Sequence, residues 1–219
     1  MAVGVKTLVL NGWAAGYETW ELCSVPHDWL FSYVEELDAL PERVLADTEA
    51  AVLVGFSMGG ACALKLLLDF PGRIRGLVLV SATPRMTADL STRWPGMSDR
   101  RTLALARGTE ILFADDPAEI YDRTAMARGL EFLRHTDLRA GLEARSASGA
   151  FDRLPVAIVQ SERDYIVHPD HARFLQRIFP ASTLAWVPGA EHVLPVTVPE
   201  KVEAAYAEVC RRIRESEVG

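Results

Sequence analysis

Short apolar runs alternate along the chain with longer segments in which apolar residues recur every three or four positions. The runs are rich in Val, Leu, Ile and aromatic residues, a composition typical of β-strands. Six strands are predicted in this way, at residues 5–10, 29–34, 51–56, 75–81, 155–160 and 182–187. Most of these runs are continuously apolar rather than alternating, which indicates a parallel sheet covered on both faces.

Helical segments follow three of the predicted strands. Residues 61–70 follow the third strand, residues 169–178 follow the fifth, and residues 199–213 follow the sixth, with a proline placed to begin the last helix. Strands that alternate with helices are typical of the α/β class. We therefore expect a mainly parallel sheet of about six strands, flanked by helices.

One interval, residues 84–151, interrupts this alternation. It contains no convincing strand, only amphipathic helical pieces such as residues 101–112 and 118–133. A helical insertion of this size within an α/β sheet predicts a cap, or lid, over the sheet. The predicted organisation is therefore a core formed by residues 1–83 and 152–219, with a cap formed by residues 84–151.

Composition narrows the class of protein. Of the 219 residues, 49% are hydrophobic and 24% are charged, as in globular proteins, and the net charge of −7 argues against nucleic-acid binding. No apolar run is long enough for a membrane span, and the N-terminus lacks a signal-peptide layout. Because Cys23, Cys62 and Cys210 are too scattered for a disulfide framework, we expect a cytoplasmic protein.

The sequence Gly55-Phe56-Ser57-Met58-Gly59 stands between an apolar strand and a helix. This G-x-S-x-G pattern is typical of a nucleophile on a sharp strand-to-helix turn, where neighbouring glycines let strand and helix approach closely. The turn would present Ser57 above the strand end and the Met58 N–H as an oxyanion donor. The alternative is a glycine-rich turn with a bystander serine, which the flanking strand and helix disfavour.

A nucleophilic serine needs a base and an orienting carboxylate. Asp164 follows the fifth predicted strand and His192 follows the sixth, in the chain order Ser, Asp, His of hydrolases with this motif. Glu162 is the alternative acid. The loop after the first strand supplies a candidate second oxyanion donor, the Trp13 N–H, although Gly12 and Trp13 also fit a simple turn.

Two further histidines, His168 and His171, flank Pro169-Asp170 at the start of a predicted helix. With Asp164 they suggest a metal cluster, but this spacing is more typical of an exposed helix start. No metal or organic cofactor is expected.

Taken together, strand–Asn-Gly-Trp, Gly-Phe-Ser-Met-Gly-Gly, Arg163-Asp164 and Gly-Ala-Glu-His192 resemble the α/β-hydrolase superfamily over nearly the whole chain. Residues 81–84, 94–97 and 129–139 resemble BioH-type esterases, the pimeloyl-acyl-carrier-protein methyl ester carboxylesterases of biotin synthesis. The chain departs from that family in having Asn11 where a histidine is usual. The resemblance implies an ester substrate carried on an acyl-carrier protein.

In that family, arginines of the cap contact the acidic carrier protein. The cap here carries ten arginines, no lysine and ten acidic residues. The resemblance makes five of these arginines candidates for substrate or carrier binding: Arg93, Arg100, Arg101, Arg123 and Arg128. From the residues alone, such a charge pattern is typical of a solvated helical surface.

Three alternatives to this carboxylesterase hypothesis stay open. The same residues would suit a general short-chain carboxylesterase. They would also suit another enzyme of the superfamily, such as a carbon–carbon hydrolase or a lyase of the menaquinone pathway. A non-catalytic binding module on the same fold is disfavoured because all three members of the predicted triad are present.

Overall fold

A computed structural model describes residues 5–13, 15, 17–26, 29–31, 50–85, 123–164 and 166–218. Within these residues six strands form one sheet in the order β2-β1-β3-β4-β5-β6. The strands are β1 (Lys6–Leu10), β2 (Trp29–Phe31), β3 (Ala51–Phe56), β4 (Ile74–Val80), β5 (Val156–Ser161) and β6 (Thr183–Val187). All five neighbouring pairs are parallel. The predicted α/β fold is confirmed.

The strand register brings several loops to one edge of the sheet. Phe56, the last residue of β3, pairs with Val80 of β4. On the far side of β4, Ser161 at the end of β5 pairs with Val187 at the end of β6. Because the strands are parallel, the residues that follow each of these ends meet at the carboxyl edge of the sheet.

The described helices are α1 (Met58–Asp69), α2 (Arg123–His135), α3 (Arg139–Ala147), α4 (Asp170–Ile178), α5 (Leu194–Thr197) and α6 (Pro199–Val218), with single 3₁₀ turns at Tyr17–Trp20 and Pro71–Arg73. Helix α1 begins directly after Ser57, three residues before the predicted start at residue 61. The glycines at positions 59 and 60 have low helix propensity, but contacts of this first turn with neighbouring strands and loops override it.

The core has two layers, one on each face of the sheet. Leu10, Leu53 and Leu79 point to the layer that contains α1, α3 and α4. Val54 and Val80 point to the opposite layer, which α6 covers. Strands β1, β3, β4 and β5 therefore bury both of their faces, which explains the continuous apolar runs in the sequence.

The described part of the predicted cap comprises residues 84–85 and 123–151. The predicted helix at 101–112 lies outside the described residues, and the predicted helix at 118–133 corresponds to α2 where the structure describes it. Leu142 and Phe151 are fully buried in the same core layer as α1. The Leu138 N–H donates a hydrogen bond to the Pro84 carbonyl at 2.9 Å, so the start of this segment is joined to the connection between α2 and α3. The boundaries at 84 and 151 stay a prediction.

None of the helices that the structure describes combines the length and the apolar character needed to cross a membrane.

Candidate active site

Ser57 occupies a sharp turn between β3 and α1. Its φ of 53° and ψ of −115° lie outside the regions that non-glycine residues favour. Its N–H donates a hydrogen bond to the Val80 carbonyl at 2.9 Å, and its carbonyl accepts one from the Gly60 N–H at 3.0 Å. Strained backbone of this kind is retained where the surrounding structure fixes it, commonly at functional sites.

Two glycines make the turn at Ser57 possible. A Cβ atom on Gly59 would lie 2.0 Å from the Leu10 carbonyl oxygen, and one on Gly55 would lie 2.6 Å from the Gly59 carbonyl oxygen. Because both contacts are with backbone atoms, no side-chain movement relieves them. The G-x-S-x-G pattern is therefore required by the close approach of β1, β3 and α1.

The structure brings the predicted serine, histidine and aspartate together. The Nε2 atom of His192 lies 2.9 Å from Ser57 Oγ, and its Nδ1 atom lies 2.8 Å from Asp164 Oδ2. His192 is 7% exposed and its ring packs against the ring of Phe56, while Ser57 is half-buried. The three groups form a continuous hydrogen-bonded chain that ends at a hydroxyl within reach of solvent.

Asp164 is buried and accepts hydrogen bonds on both carboxylate oxygens. Its Oδ1 accepts from the N–H groups of Ile166 and Val167 at 2.9 and 2.8 Å, and its Oδ2 also accepts from Gln160 Nε2 at 3.1 Å. Burial raises the pKa of Asp164, but the charge of His192 and the hydrogen bonds outweigh burial, so the pKa lies below its ordinary value. The carboxylate is therefore ionised at neutral pH.

The alternative acid, Glu162, is exposed on the same loop. Its carboxylate has no contact with His192 among the hydrogen bonds and ion pairs of the described residues, whereas Asp164 has one at 2.8 Å. The geometry therefore favours Asp164 over Glu162 as the partner of His192.

The two candidate oxyanion donors flank Ser57. Met58 is the first residue of α1, where backbone N–H groups have no acceptor within the helix. The loop after β1 passes close to the serine, since a Cβ atom on Gly12 would lie 3.2 Å from Ser57 Cβ. Trp13 follows in that loop and packs on the core. Both amides stay candidates.

The loop after β1 is held by its own neighbours. Asn11, where the resembled family usually has a histidine, is fully buried and accepts a hydrogen bond from the Trp20 indole N–H. On the opposite side, Gly129 of α2 lies against the Trp13 indole, because a Cβ atom there would come within 2.9 Å of Trp13 Cδ1. The described part of the predicted cap thus contacts the loop after β1 directly.

The candidate arginines are only partly described. Arg93, Arg100 and Arg101 lie outside the described residues. Arg123 is the first residue of α2, and Arg128 is exposed on the same helix. Their role stays a prediction.

The suggested metal cluster is not assembled. Within the described part of the chain, no group of three His, Cys, Asp or Glu side chains is arranged to hold a metal ion. His168 instead lies 3.3 Å from Asp170, at the exposed start of α4.

Sequence reasoning missed two buried polar side chains at this edge of the sheet, Ser81 and Gln160. Ser81 Oγ donates a hydrogen bond to the His192 carbonyl at 2.9 Å, and Gln160 contacts Asp164 as described above. Both are fully buried. The available signal was a polar residue at the end of an otherwise apolar strand.

The fold and this arrangement of side chains define a class of protein. The model of the alpha/beta hydrolase family matches residues 12–205, and the chain belongs to this family. A crystal structure of a hydrolase from Pseudomonas aeruginosa has the same fold, with a TM-score of 0.71 and 21% identity over 96% of this chain and 91% of that one. The predicted α/β-hydrolase fold is confirmed.

Two relatives with similar sequences carry the name of one esterase. The chain is 26% identical to the pimeloyl-[acyl-carrier protein] methyl ester esterase of Nitrosospira multiformis, over 68% of this chain and 64% of the relative's length. It is also 26% identical to the protein of that name from Edwardsiella ictaluri, over 94% of this chain and 93% of the relative. The predicted hydrolase class and the resemblance to these esterases are confirmed.

Proposed function

We propose that the chain is a serine carboxylesterase with Ser57 as nucleophile, His192 as general base and Asp164 as the carboxylate that orients the base. One observation carries this proposal: the chain of contacts from Ser57 Oγ through both ring nitrogens of His192 to the buried carboxylate. Asp164 holds the Nδ1 proton, so Nε2 is free to accept the proton of the serine hydroxyl.

The reaction then proceeds through an acyl-enzyme. Ser57 Oγ attacks the ester carbonyl as its proton moves to His192 Nε2. The amides of Met58 and Trp13 stabilise the negative charge that develops on the carbonyl oxygen. His192 returns the proton to the departing alcohol. It next takes a proton from water as the water oxygen attacks the acyl carbonyl, and it passes that proton to Ser57 Oγ as the acid is released.

The proposed substrate is the methyl ester of a pimeloyl chain carried on an acyl-carrier protein, in biotin synthesis. Support comes from the curated relatives, which are named for this reaction. Methanol would leave in the first half-reaction, and the free terminal carboxylate would appear in the second. The candidate arginines of the cap, of which Arg128 is exposed, would contact the acidic carrier protein.

A fluorophosphonate probe tests the nucleophile. We expect the folded protein to be labelled once, and Ser57→Ala to be unlabelled with an unchanged fold. A folded wild-type protein that stays unlabelled would contradict the mechanism and favour a non-catalytic binding module.

A panel of dicarboxylate monomethyl esters, each supplied free and carrier-bound, tests the substrate. We expect the carrier-bound pimeloyl methyl ester to be hydrolysed with the highest kcat/KM. Rapid hydrolysis of short model esters, with this substrate untouched, would contradict the substrate and leave a general carboxylesterase.

Replacing Arg93, Arg100 and Arg101 together by alanine should reduce kcat/KM for the carrier-bound ester more than for the free ester. Equal losses would argue against carrier docking at these positions.

A further inference from the structure

Ser81 is the first residue after β4, the strand that lies between β3, which leads to Ser57, and β5, which leads to Asp164. It is fully buried. Its N–H donates a hydrogen bond to the Val159 carbonyl of β5 at 2.9 Å, and its hydroxyl donates to the His192 carbonyl at 2.9 Å. One residue therefore joins three segments at the carboxyl edge of the sheet.

The backbone of Ser81 is strained. Its φ is 45°, and among the described residues only Ser57 shares a positive φ without being glycine. For residues other than glycine this conformation costs about 1 kcal/mol. Glycine would adopt it without that cost, but glycine has no hydroxyl. Ser81 therefore combines the strained conformation with a hydroxyl that binds the loop carrying His192.

The position of the His192 ring depends on the position of the His192 backbone. His192 belongs to the loop between β6 and α5, and its carbonyl also accepts a hydrogen bond at 3.0 Å from the N–H of Leu194, the first residue of α5. Ser81 is thus the donor that ties this carbonyl to the sheet. An error of about 1 Å in the position of a catalytic group costs up to about a hundredfold in rate.

We infer that Ser81 is a positioning residue, whose hydroxyl holds the His192 backbone so that Nε2 stays within hydrogen-bonding distance of Ser57. This role rests on the proposed serine mechanism. It goes beyond that mechanism because it assigns the precision of the Ser57–His192 contact to a fully buried side chain outside the triad.

Three variants test the role: Ser81→Ala, Ser81→Gly and the control Ser146→Ala. Ser146 Oγ also donates to a backbone carbonyl, that of Ile178, at 2.8 Å. Ile178 ends α4, and since α4 runs back from the carboxyl edge of the sheet, this bond lies away from Ser57. Ser81→Ala and Ser146→Ala therefore delete the same kind of hydrogen bond at two different places.

Hydrolysis of p-nitrophenyl butyrate gives kcat and KM, and urea unfolding gives the stability of each variant. We expect kcat to fall about tenfold in Ser81→Ala and Ser81→Gly, with KM within about twofold of the wild-type value. Ser146→Ala should keep the wild-type kcat although it loses comparable stability. The rate of fluorophosphonate labelling should fall in parallel with kcat.

Equal kcat values for Ser81→Ala and Ser146→Ala would overturn the inference. Loss of activity in Ser81→Ala but not in Ser81→Gly would also overturn it, because the backbone conformation rather than the hydroxyl would then matter. If neither Ser81 variant folds, the residue serves stability and the positioning role is likewise contradicted. A folded wild-type protein that neither reacts with the probe nor hydrolyses the ester would instead contradict the proposed function.

Discussion

Replacing Asp164 by asparagine changes one atom of the side chain, and the surrounding hydrogen bonds decide which way the new amide points. With its oxygen at the Oδ1 position, the amide keeps the bonds from Ile166 and Val167 and turns its NH₂ group toward His192 and Gln160. The reverse orientation would set the NH₂ group against two backbone N–H donors that now lie 2.9 and 2.8 Å from Oδ1. The first orientation leaves one donor, Gln160 Nε2, without this acceptor, whereas the reverse leaves two. Each buried donor left without an acceptor costs about 1–3 kcal/mol, so the first orientation prevails.

In that orientation His192 acquires the wrong tautomer. Its Nδ1 atom must accept a hydrogen bond from the asparagine NH₂ group, so the ring proton moves to Nε2, which faces Ser57. An imidazole protonated there does not accept the serine proton. The wrong tautomer lowers kcat about ten-thousandfold in a serine triad, which corresponds to about 5 kcal/mol of transition-state stabilisation.

The assay compares Asp164→Asn with Glu162→Gln, using kcat for p-nitrophenyl butyrate at neutral pH. Glu162 is exposed two residues earlier on the same loop, so Glu162→Gln removes the same charge without touching His192. We expect Glu162→Gln to retain wild-type activity and both variants to fold. A kcat for Asp164→Asn within tenfold of the wild-type value would refute the reasoning, as would a large loss in Glu162→Gln.

Three further predictions concern stability and reactivity. Gly59→Ala should lower the free energy of unfolding in urea by about 3 kcal/mol because of its 2.0 Å contact with the Leu10 carbonyl, whereas Gly72→Ala, which meets nothing within 4 Å, should have little effect. Since the pKa of Asp164 is lowered by folding, its ionised carboxylate stabilises the fold above about pH 4, and the stability difference between wild type and Asp164→Asn should shrink as pH falls below that value. Burial raises the pKa of Cys62 to about 12, so iodoacetamide at pH 8 should modify the half-buried Cys210 and spare Cys62 until the protein unfolds, as mass spectrometry would show; early modification of Cys62 would contradict this.

The central strands were predictable because they are buried on both faces. Strand β3 has the predicted bounds, and β4 and β5 are each displaced by one residue from the prediction. A run of unbroken apolar residues indicates a strand even when the neighbouring strand is not known. The start of α1 was not predictable in the same way, because Gly59 enters the helix through its contact with the β1 loop and not through its own propensity.

The same distinction holds for the candidate site. The proximity of Ser57, Asp164 and His192 was predictable because each follows a strand, and parallel strands bring such positions to one edge. The contacts of Ser81 and Gln160 were not predictable. The sequence is the same whether a polar residue at the end of an apolar strand faces water or a neighbouring loop. Their partners depend on which strands are neighbours, and that order appears only in the folded sheet.

Strands β4 and β5 are neighbours in the sheet although a long segment separates them in the sequence. Val80 ends β4 and Val156 begins β5, so the chain leaves the sheet and returns to it on adjacent strands. Because the entropy of closing a loop rises by only about 0.6 kcal/mol for each doubling of its length, the segment between Arg85 and Arg123 is able to change length at little entropic cost to the sheet, provided that Ser81, Leu142 and Phe151 keep their buried positions. Selection, or an engineer grafting segments between relatives, is therefore able to alter what the enzyme accepts while Ser57, Asp164 and His192 keep their positions.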